Sequence, residues 1–459
     1  MTDMGSPQRV WTHPSVVALG TEDPVNWVTE RARSLAFAAV EAGWSGPPFD
    51  PIPLAEMLGL RVQPSQDVLD ARLVAESGEK RIDFNPNRPA GRIRYSIAHE
   101  IGHALFPDYA AQARHRLAPG SEAGAAESEL EMLCNLAAAE LLMPVGSFPD
   151  ASSAAPSVDL ALELRARFDL SIEAVLLRVA RLAMVPTAVF AAAPRGSLAS
   201  DGYRLDYVIK TPEMQLAASR GYLLPQGSHV TECTAVGFTA SGLERWGRNR
   251  PLEVQCVGIP PYPGARLPRV AGLVLGSSSP TTTRRSIRYL VGNALAPRGE
   301  GPRIIAQVVN DATPRWGGGF ARELGRHWTA VQEDFTSWSR QEGGLRLGRL
   351  HFTPATDDIF IASMVAQHGY GPSDRPRIRY AALDACLREL ADEAQRRGAS
   401  VHAPRIGAGQ AGGRWPIIAE MIEMSLVDRG IDVTVYDLPG APRDYAQAGE
   451  EVQIPLGIG

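Results

Sequence analysis

Apolar residues recur at helical spacing through the first 190 residues of the chain. This pattern predicts helices over 24–45, 53–60, 93–106, 127–144 and 158–183. Pro107 and Pro144 follow two of these segments and are expected to end them, because proline lacks the N–H that continues a helix. We therefore expect a mainly helical first domain.

The pattern changes between Tyr203 and Leu275, where short β-rich runs are separated by glycine and proline clusters. These runs are YRLDYVI, HVTECTAVGF, LEVQCVGI and VAGLVLG. They predict a small β-rich domain. It carries no chemical motif, so we expect a structural or partner-contacting role for it, with ligand sensing as the alternative.

From 286 to 440, runs of strand length alternate with helical segments. The predicted strands are SIRYLVG, RIIAQVVN, LRLGRLHF, IFIASMVAQ, SVHAPRIG and DVTVYDL, with helices over 318–340, 378–398 and 416–429. Strands that alternate with crossover helices predict a three-layer α/β domain around a mostly parallel sheet.

These patterns together predict a multidomain α+β protein with domains at residues 1–190, 191–283 and 284–445. The first is mainly helical, the second is β-rich, and the third is a three-layer α/β/α domain. With 459 residues and a hydrophobic fraction of 44%, the chain can bury more than one core.

Charge and cysteine usage narrow the possible functions and compartments. A net charge of -5 argues against direct nucleic-acid binding, which needs clustered Lys and Arg. The four cysteines form no CxxC pair, so we expect reduced thiols and a cytoplasmic protein. No stretch reaches the roughly eighteen apolar residues of a membrane span, and no signal peptide is recognisable, so we expect no membrane association.

The segment HEIGH at 99–103 carries the strongest chemical signal. His99 and His103 are four residues apart, so on a helix both rings can reach one zinc ion, with Glu100 beside them. The alternative is a surface helix with two solvated histidines. No Lys or Arg occurs between Tyr95 and Pro107, which is typical of a buried helix whose histidines need a partner. The metal interpretation is therefore favoured.

A catalytic zinc ion takes three protein ligands, so the HEIGH segment needs a third from elsewhere. Glu131 and Asn135 share one face of the predicted helix over 127–144, and Glu131 is a candidate. On spacing alone, three further glutamates of that helix remain possible: Glu127, Glu129 and Glu140. Three polar side chains nearby are expected to be ordinary packing or surface residues: Tyr95, Tyr109 and His115.

Three blocks in this order, PPFDP, RIRYSIAHEIGHALFPD and ELEMLCNLAAAELLMP, resemble the ImmA/IrrE family of intracellular zinc metallopeptidases. The resemblance covers the first 190 residues and implies a zincin-like fold. It also implies that His99, His103 and Glu131 bind Zn2+ and that Glu100 is the general base. The helix-turn-helix that many relatives carry ahead of the peptidase is not recognisable here.

Two glycine-containing loops follow predicted strands of the third domain. One runs from Asn310 and Asp311 to the glycines before Phe320, and the other spans 405–412. Ligands of parallel sheets bind beyond the carboxyl ends of strands, where glycines let backbone N–H groups approach a pyrophosphate. A single glycine triplet is as often a plain turn, but two such loops favour a dinucleotide-like ligand. The spacing is neither a Walker A nor a Rossmann motif.

Four blocks, VVNDATPRWGGGF, ASMVAQHGY, ASVHAPRIGAGQAGGRW and RGIDVTVYDLP, resemble macro domains, the ADP-ribose-binding α/β/α modules, and especially that of a poly(ADP-ribose)-activated chromatin remodeller. The resemblance implies that the first glycine loop contacts the distal ribose and the second the diphosphate. Asn293 stands where macro domains usually hold adenine with an aspartate. The implied ligand-binding residues are Asn293, Asn310, Asp311, Gly317, Gly318, Gly319, Phe320, Gln367, Arg405, Ile406, Gly407, Ala408, Gly409 and Gln410.

Related hydrolases carry a lysine and an aspartate where this chain has Gln367 and Ala411, which favours an ADP-ribose reader. Asp311 keeps hydrolysis open as the alternative. Three histidines of this domain are expected to be structural: His351, His368 and His402.

The two resemblances imply one main function. We expect an endopeptidase that cleaves a regulatory protein, a repressor or inhibitory partner, in a stress, DNA-damage or phage-defence response. ADP-ribose, free or protein-linked, would direct or activate it. The alternative is an ADP-ribose reader or ADP-ribosyl hydrolase whose peptidase-like half is a scaffold.

Overall fold

The computed structural model describes residues 11–76, 79–109, 114–115, 125–148, 155–196, 201–247, 250–262, 264–276, 286–438 and 451–452. Its helices and three sheets form the predicted multidomain α+β architecture. The chain divides into two compact units, Met1–Pro144 with Glu163–Ala174, and Val145–Leu162 with Val175–Gly459. The predicted boundary at 283 and 284 lies outside the described residues. Within the described ranges, no helix has the length and apolar character needed to cross a membrane.

The first unit contains helices around a small mixed sheet. The helices are α1 (Pro14–Val17), α2 (Pro24–Glu41), α3 (Ile52–Met57), α4 (Ala90–Ala104) and α5 (Ala125–Leu142). The strands are β1 (Arg61–Pro64), β2 (Ala71–Glu76), β3 (Glu79–Phe84) and β4 (Arg114–His115), in the order β1-β3-β2-β4. Helices α6 (Val158–Phe168) and α7 (Ile172–Leu182) follow in the chain.

One hydrophobic core joins α2, α4 and α5 to the sheet of the first unit. It includes Ala32 on α2, Ile97 and Ile101 on α4, Leu133 on α5 and Ile82 on β3, all essentially buried. The apolar stripe predicted on α4 is therefore the face that packs into this core. The opposite face of α4, which carries the two histidines, remains available for chemistry.

The middle of the chain forms a five-stranded antiparallel sheet. Its strands are β5 (Thr187–Pro194), β6 (Tyr203–Lys210), β7 (Thr239–Glu244), β8 (Leu252–Ile259) and β9 (Arg269–Leu275), in the order β6-β5-β9-β8-β7. Strand β5 begins before residue 191, where the β-rich domain was predicted to start.

The predicted strand HVTECTAVGF is wrong, because this segment forms a 3-10 turn at His229–Glu232 and then a loop. The buried Glu244 carboxylate accepts hydrogen bonds from Ser228 Oγ at 3.0 Å and from the His229 N–H at 2.8 Å. These contacts bend the chain away from the sheet, so tertiary hydrogen bonds outweigh local strand propensity here.

The last part of the chain forms a seven-stranded sheet with helices, here called the C-terminal α/β region. Its strands are β10 (Arg288–Val291), β11 (Arg303–Asn310), β12 (Leu350–Pro354), β13 (Ile359–Gln367), β14 (Ser400–Pro404), β15 (Val433–Asp437) and β16 (Glu451–Val452). The order is β12-β13-β11-β14-β15-β10-β16, and only the β12 pairing is antiparallel.

Helices of the C-terminal α/β region cover both faces of this sheet. They are α8 (Gly319–His327), α9 (Thr329–Ser339), α10 (Tyr380–Arg397) and α11 (Trp415–Ser425), with a 3-10 turn at Val427–Arg429. Ile305 and Ile361 on one face pack against Leu324 of α8 and Phe335 of α9. Since α10 packs on β13 and α11, the region has the predicted three layers. The single helix predicted over 318–340 is interrupted at Trp328, whose backbone is not helical.

His402 on β14 makes the stability of the C-terminal α/β region depend on pH. It is buried, with Nε2 2.8 Å from Ser400 Oγ and Nδ1 3.1 Å from Tyr436 Oη. Burial, together with the smaller effect of the Arg303 charge, lowers the pKa of His402 from 6.5 to about 4. Below pH 6.5 His402 of the unfolded chain therefore binds a proton, whereas His402 of the folded chain stays neutral until the pH approaches 4. The free energy of unfolding falls over this pH range.

We expect the protection of the β14 amides to fall by about 2 kcal/mol between pH 7 and pH 5 from this histidine alone. Hydrogen exchange, corrected for intrinsic rates, measures this change. His402→Gln should remove that part of the pH dependence, whereas His327→Gln, at an exposed position, should leave it unchanged. Identical pH profiles for His402→Gln and the parent chain would contradict the assignment.

Candidate metal and ligand sites

Helices α4 and α5 approach closely at Gly102. A Cβ atom at this position would lie 2.9 Å from the carbonyl oxygen of Cys134 and 3.0 Å from its Cα. Any larger residue at position 102 would push α5 away. The glycine of the HEIGH segment therefore sets the distance at which side chains of α5 reach the histidine face of α4.

The close packing of these helices brings three predicted ligands together. His99 Nε2 lies 3.1 Å from Glu131 Oε2, and His103 Nε2 lies 3.3 Å from Glu131 Oε1. Among the described residues, these three form the group whose ligand atoms all lie within 4.8 Å of one another. Burial raises the pKa of Glu131, but the contacts with His103 and His99 outweigh it and lower the pKa to about 2. The carboxylate is therefore charged at neutral pH.

The polar atoms of this His99–His103–Glu131 cluster test whether a metal ion fits. His99 Nε2, His103 Nε2 and Glu131 Oε1 are buried and make no hydrogen bond within the described parts of the chain. Buried polar atoms that make no hydrogen bond are costly, and a cation that all three can ligate would offset this cost. Two imidazole nitrogens and one carboxylate oxygen are a donor set of catalytic zinc, whose ligand atoms lie roughly 3.3 Å apart. The residues fit a zinc ion.

Glu100 lies beside the cluster with its two oxygens in different environments. The side chain is fully buried, and Oε2 accepts a hydrogen bond from the Leu73 N–H of β2 at 2.9 Å. Oε1 has no hydrogen-bond partner among the described residues. One oxygen thus fixes the carboxylate, and the other is left to accept a proton.

The other three glutamates of α5 have different partners. Glu129 accepts hydrogen bonds from the N–H groups of Thr12 and His13 at 2.7 and 3.0 Å. Glu127 lies 3.4 Å from His13 Nε2, and Glu140 lies 3.7 Å from Arg33. Glu131 alone of the four joins the two histidines.

The neighbouring polar residues differ in their contacts. Tyr95 donates to Asn135 Oδ1, and Tyr109 packs against the core with Lys80 over its ring. The side chain of His115 lies outside the described residues. The sequence did not predict the contact of Leu73 with Glu100, because a backbone N–H leaves no signal in the sequence. For Asn135, it predicted only that this residue shares a helix face with Glu131.

In the C-terminal α/β region, the ends of β11 and β13 bring together several residues of the predicted ligand site. Asn310 and Gln367 are neighbours in the sheet, and the N–H of Asp311 donates to the Gln367 carbonyl at 3.0 Å. Asp311 also accepts from the Gly369 N–H at 2.7 Å and contacts His368 Nδ1 at 2.8 Å. Burial raises the pKa of Asp311, but these two contacts outweigh it and lower the pKa. His368, expected to be structural, therefore lies beside these residues.

The two glycine loops face each other. Gly318 immediately precedes α8 with extended backbone, and a Cβ atom on it would lie 3.1 Å from Gln410 Nε2 of the second loop. Gly319 has a φ of +55°, the left-handed conformation that favours glycine. The N-terminal N–H groups of α8 therefore open toward the space between the loops, as an anion site requires.

Several predicted ligand residues use their side chains to bind nearby parts of the protein. Asn310 Oδ1 accepts from the N–H groups of Ala312 and Thr313, and Asn293 Oδ1 accepts from that of Leu295. The Arg405 guanidinium makes two 2.6 Å bonds to Asp437 and lies over the rings of Tyr289 and Trp415.

The remaining predicted residues have mixed environments. Ile406 is buried, and Phe320 packs beside Leu290, Ala294 and Tyr436. Gly407 has a φ of +71°, and Ala408 and Gly409 form the turn before Gln410. Backbone groups, with the Gln410 side chain, thus dominate the surface that this loop presents.

Comparison with known families supports two parts of this description. A family model described as an IrrE N-terminal-like domain, Peptidase_M78, matches residues 55–180. Chromodomain-helicase-DNA-binding protein 1-like from Mus musculus is 29% identical over 180 residues, which are 37% of this chain and 20% of that protein. The Danio rerio protein of the same name is 28% identical over 167 residues, 35% and 16% of the two chains. The chain thus spans a fifth or less of the length of these curated relatives.

Two solved structures are more similar in sequence. A protein from Bacteroides thetaiotaomicron is 39% identical and is matched over 100% of its length and 33% of this chain, with a TM-score of 0.32. A macrodomain protein from Streptomyces coelicolor is 38% identical and is matched over 99% of its length and 33% of this chain, with a TM-score of 0.30. The ImmA/IrrE resemblance is thus confirmed over residues 55–180, which match the IrrE N-terminal-like domain, and a third of this chain is similar in sequence to a macrodomain protein.

Proposed function

We propose that this chain is a zinc-dependent endopeptidase of the cytoplasm that cleaves a regulatory protein under the direction of ADP-ribose. The observation that carries the proposal is the buried His99–His103–Glu131 cluster beside Glu100, whose Oε1 has no hydrogen-bond partner among the described residues. Glu100 is the general base, and the other three are the metal ligands.

Zinc, when bound, supplies a Lewis acid that polarises a peptide carbonyl and makes water more acidic. Glu100 takes the proton of the attacking water at Oε1, because Oε2 is already held by the Leu73 N–H. The same glutamate can then pass the proton to the leaving amine. Burial of Glu100 keeps bulk water from competing for this proton.

ADP-ribose binding is assigned to the C-terminal α/β region, proposed to be the macro domain at 284–445. Support comes from two glycine loops at the same edge of a parallel sheet and from the N-terminal N–H groups of α8. Gly317, Gly318, Gly319 and Phe320 are assigned to the distal ribose, and the backbone at 405–410 to the diphosphate. Asn293 is assigned to adenine, with Asn310, Asp311 and Gln367 lining the first loop.

The cleaved protein is proposed to be a repressor or inhibitory partner in a stress, DNA-damage or phage-defence response, as the ImmA/IrrE resemblance implies. The proposed domain limits are 1–190 for the peptidase, 191–283 for the β-rich domain and 284–445 for the macro domain. ADP-ribose, free or protein-linked, would direct or activate cleavage.

A second candidate function is ADP-ribosyl hydrolysis with the peptidase half as a scaffold. The observation that favours it is the contact between Asp311 and His368 at the edge of the proposed ligand site. An aspartate that holds a histidine is an arrangement that can activate water. This candidate requires that Glu100 be dispensable for any proteolysis.

One experiment on the purified full chain tests the main proposal. Metal analysis should find one zinc ion per chain, and calorimetric titration should detect ADP-ribose binding. His99→Ala should lose the zinc ion and keep the ADP-ribose heat, because the two sites use different residues. A wild-type chain that contains no zinc after incubation with zinc sulfate would contradict the peptidase proposal. A titration that releases no heat of ADP-ribose binding would contradict the proposed ligand.

A further inference from the structure

Asn135 of α5 makes a paired contact with α4. Its Oδ1 accepts a hydrogen bond from Tyr95 Oη at 2.5 Å and lies 3.0 Å from His99 Nδ1. An amide oxygen has no proton to give, so His99 must carry its proton on Nδ1. In the neutral ring the other nitrogen, Nε2, then keeps its lone pair, and this is the atom that lies 3.1 Å from Glu131 Oε2.

Helical spacing explains why these contacts fall in register. Tyr95, His99 and His103 are four residues apart on α4, and Glu131 and Asn135 are four apart on α5. Each helix therefore presents its side chains as one column. Asn135 contacts Tyr95 and His99. Glu131, one turn earlier on α5, contacts His99 and His103.

The two histidines of the cluster are not equivalent. His99 Nδ1 has Asn135 as a partner, whereas His103 Nδ1 has no hydrogen-bond partner in the described parts of the chain. The tautomer of His99 is fixed by the protein, but the described residues leave the tautomer of His103 unset. Loss of Asn135 should therefore change the orientation and tautomer of His99 and leave those of His103 unchanged.

A purely structural role explains Asn135 less well. The side chain is exposed, and the α4–α5 packing is already held by the Gly102–Cys134 approach and by buried Leu130 and Leu133. An exposed polar residue adds little to such a core. Its two hydrogen bonds converge instead on one oxygen beside a candidate ligand.

We infer that Asn135 is a positioning residue that fixes His99 as the Nδ1–H tautomer and so presents Nε2 to the metal, while Tyr95 holds the Asn135 amide in the required orientation. This inference rests on the zinc site proposed above. Residues that orient metal-binding histidines in this way typically change metal affinity by about 10–100-fold when removed.

The test measures zinc affinity of the full chain by competition with a chromophoric chelator. Asn135→Leu removes the acceptor and should weaken zinc binding about 10–100-fold. Asn135→Asp keeps an oxygen that can only accept, and it should restore an affinity close to that of the wild type. Tyr95→Phe should fall between the two. Leu136→Ala, at the exposed neighbouring position on α5, is the matched control and should have no effect.

A second readout reports the tautomer directly. The 15N chemical shifts of the His99 ring should show the Nδ1–H form in the metal-free wild type and in Asn135→Asp, and a mixture of forms in Asn135→Leu. Zinc binding by the wild type combined with equal affinity in Asn135→Leu would overturn this inference and leave the zinc site intact. Equal losses in Asn135→Asp and Asn135→Leu would also overturn it, because an acceptor would then not suffice. A wild-type chain that binds no zinc would instead overturn the proposed function.

Discussion

Replacement of Glu100 by glutamine is expected to lower peptide cleavage by about 10²–10⁴-fold, the usual contribution of a general base. The change keeps the shape of the side chain, and the amide oxygen of glutamine can still accept the Leu73 N–H that Glu100 Oε2 accepts now. What disappears is the ability of the second oxygen to take a proton. Zinc content should be unchanged, because the proposed ligands are His99, His103 and Glu131.

Cleavage can be measured without knowledge of the natural target. A random decapeptide library is incubated with the zinc-loaded full chain, and new N-termini are counted by mass spectrometry. Glu127→Gln is the matched control, because this glutamate lies on α5 and contacts His13 instead of the cluster. A Glu100→Gln chain that cleaves at the control rate would show that Glu100 is not the base and would favour the second candidate, in which the peptidase half is a scaffold.

The sequence located this site through the periodicity of one helix. Ile97 and Ile101 define the buried face of α4, so His99 and His103 had to share the opposite side. The choice of Glu131 over Glu127, Glu129 and Glu140 needed the family resemblance, because all four lie on one helix. The structure separates them by their partners, which spacing within a single helix cannot do.

Other parts of the site depend on contacts between elements distant in sequence. The sheet of the first unit was not predicted, because its strands are short and mix charged with apolar residues, as in EKRIDF of β3. The Leu73 N–H that holds Glu100 belongs to that sheet and so was missed with it. His368 was expected to be structural, because its partner Asp311 is 57 positions away and meets it only through the pairing of β11 with β13.

Substitution of Gly318 by glutamate is expected to weaken ADP-ribose binding by at least about 100-fold, which corresponds to about 3 kcal/mol. The backbone at Gly318 is extended, so a larger residue fits without strain. Its Cβ would point at the far end of the Gln410 side chain, which can move. The glutamate would therefore occupy the space between the two loops and oppose the ligand diphosphate with a like charge.

Calorimetry on the full chain measures this loss, and two further variants separate its causes. Gly318→Gln adds similar bulk without charge and should lose less affinity than Gly318→Glu. Arg326→Gln, at an exposed position in the last turn of α8, should bind as the wild type does, because it lies at the end of the helix opposite the glycine loop. Unchanged affinity in Gly318→Glu would show that ADP-ribose does not bind between these loops.

The Gly318→Glu chain also decides whether the two activities are coupled. The substitution is far in sequence from the His99–His103–Glu131 cluster, so its basal cleavage and zinc content should equal those of the wild type. If ADP-ribose directs or activates the peptidase through the C-terminal α/β region, the wild type should respond to added ADP-ribose and this variant should not. An equal response in both chains would place the effector site elsewhere, since a ligand shifts an equilibrium only through its differential affinity for the two states.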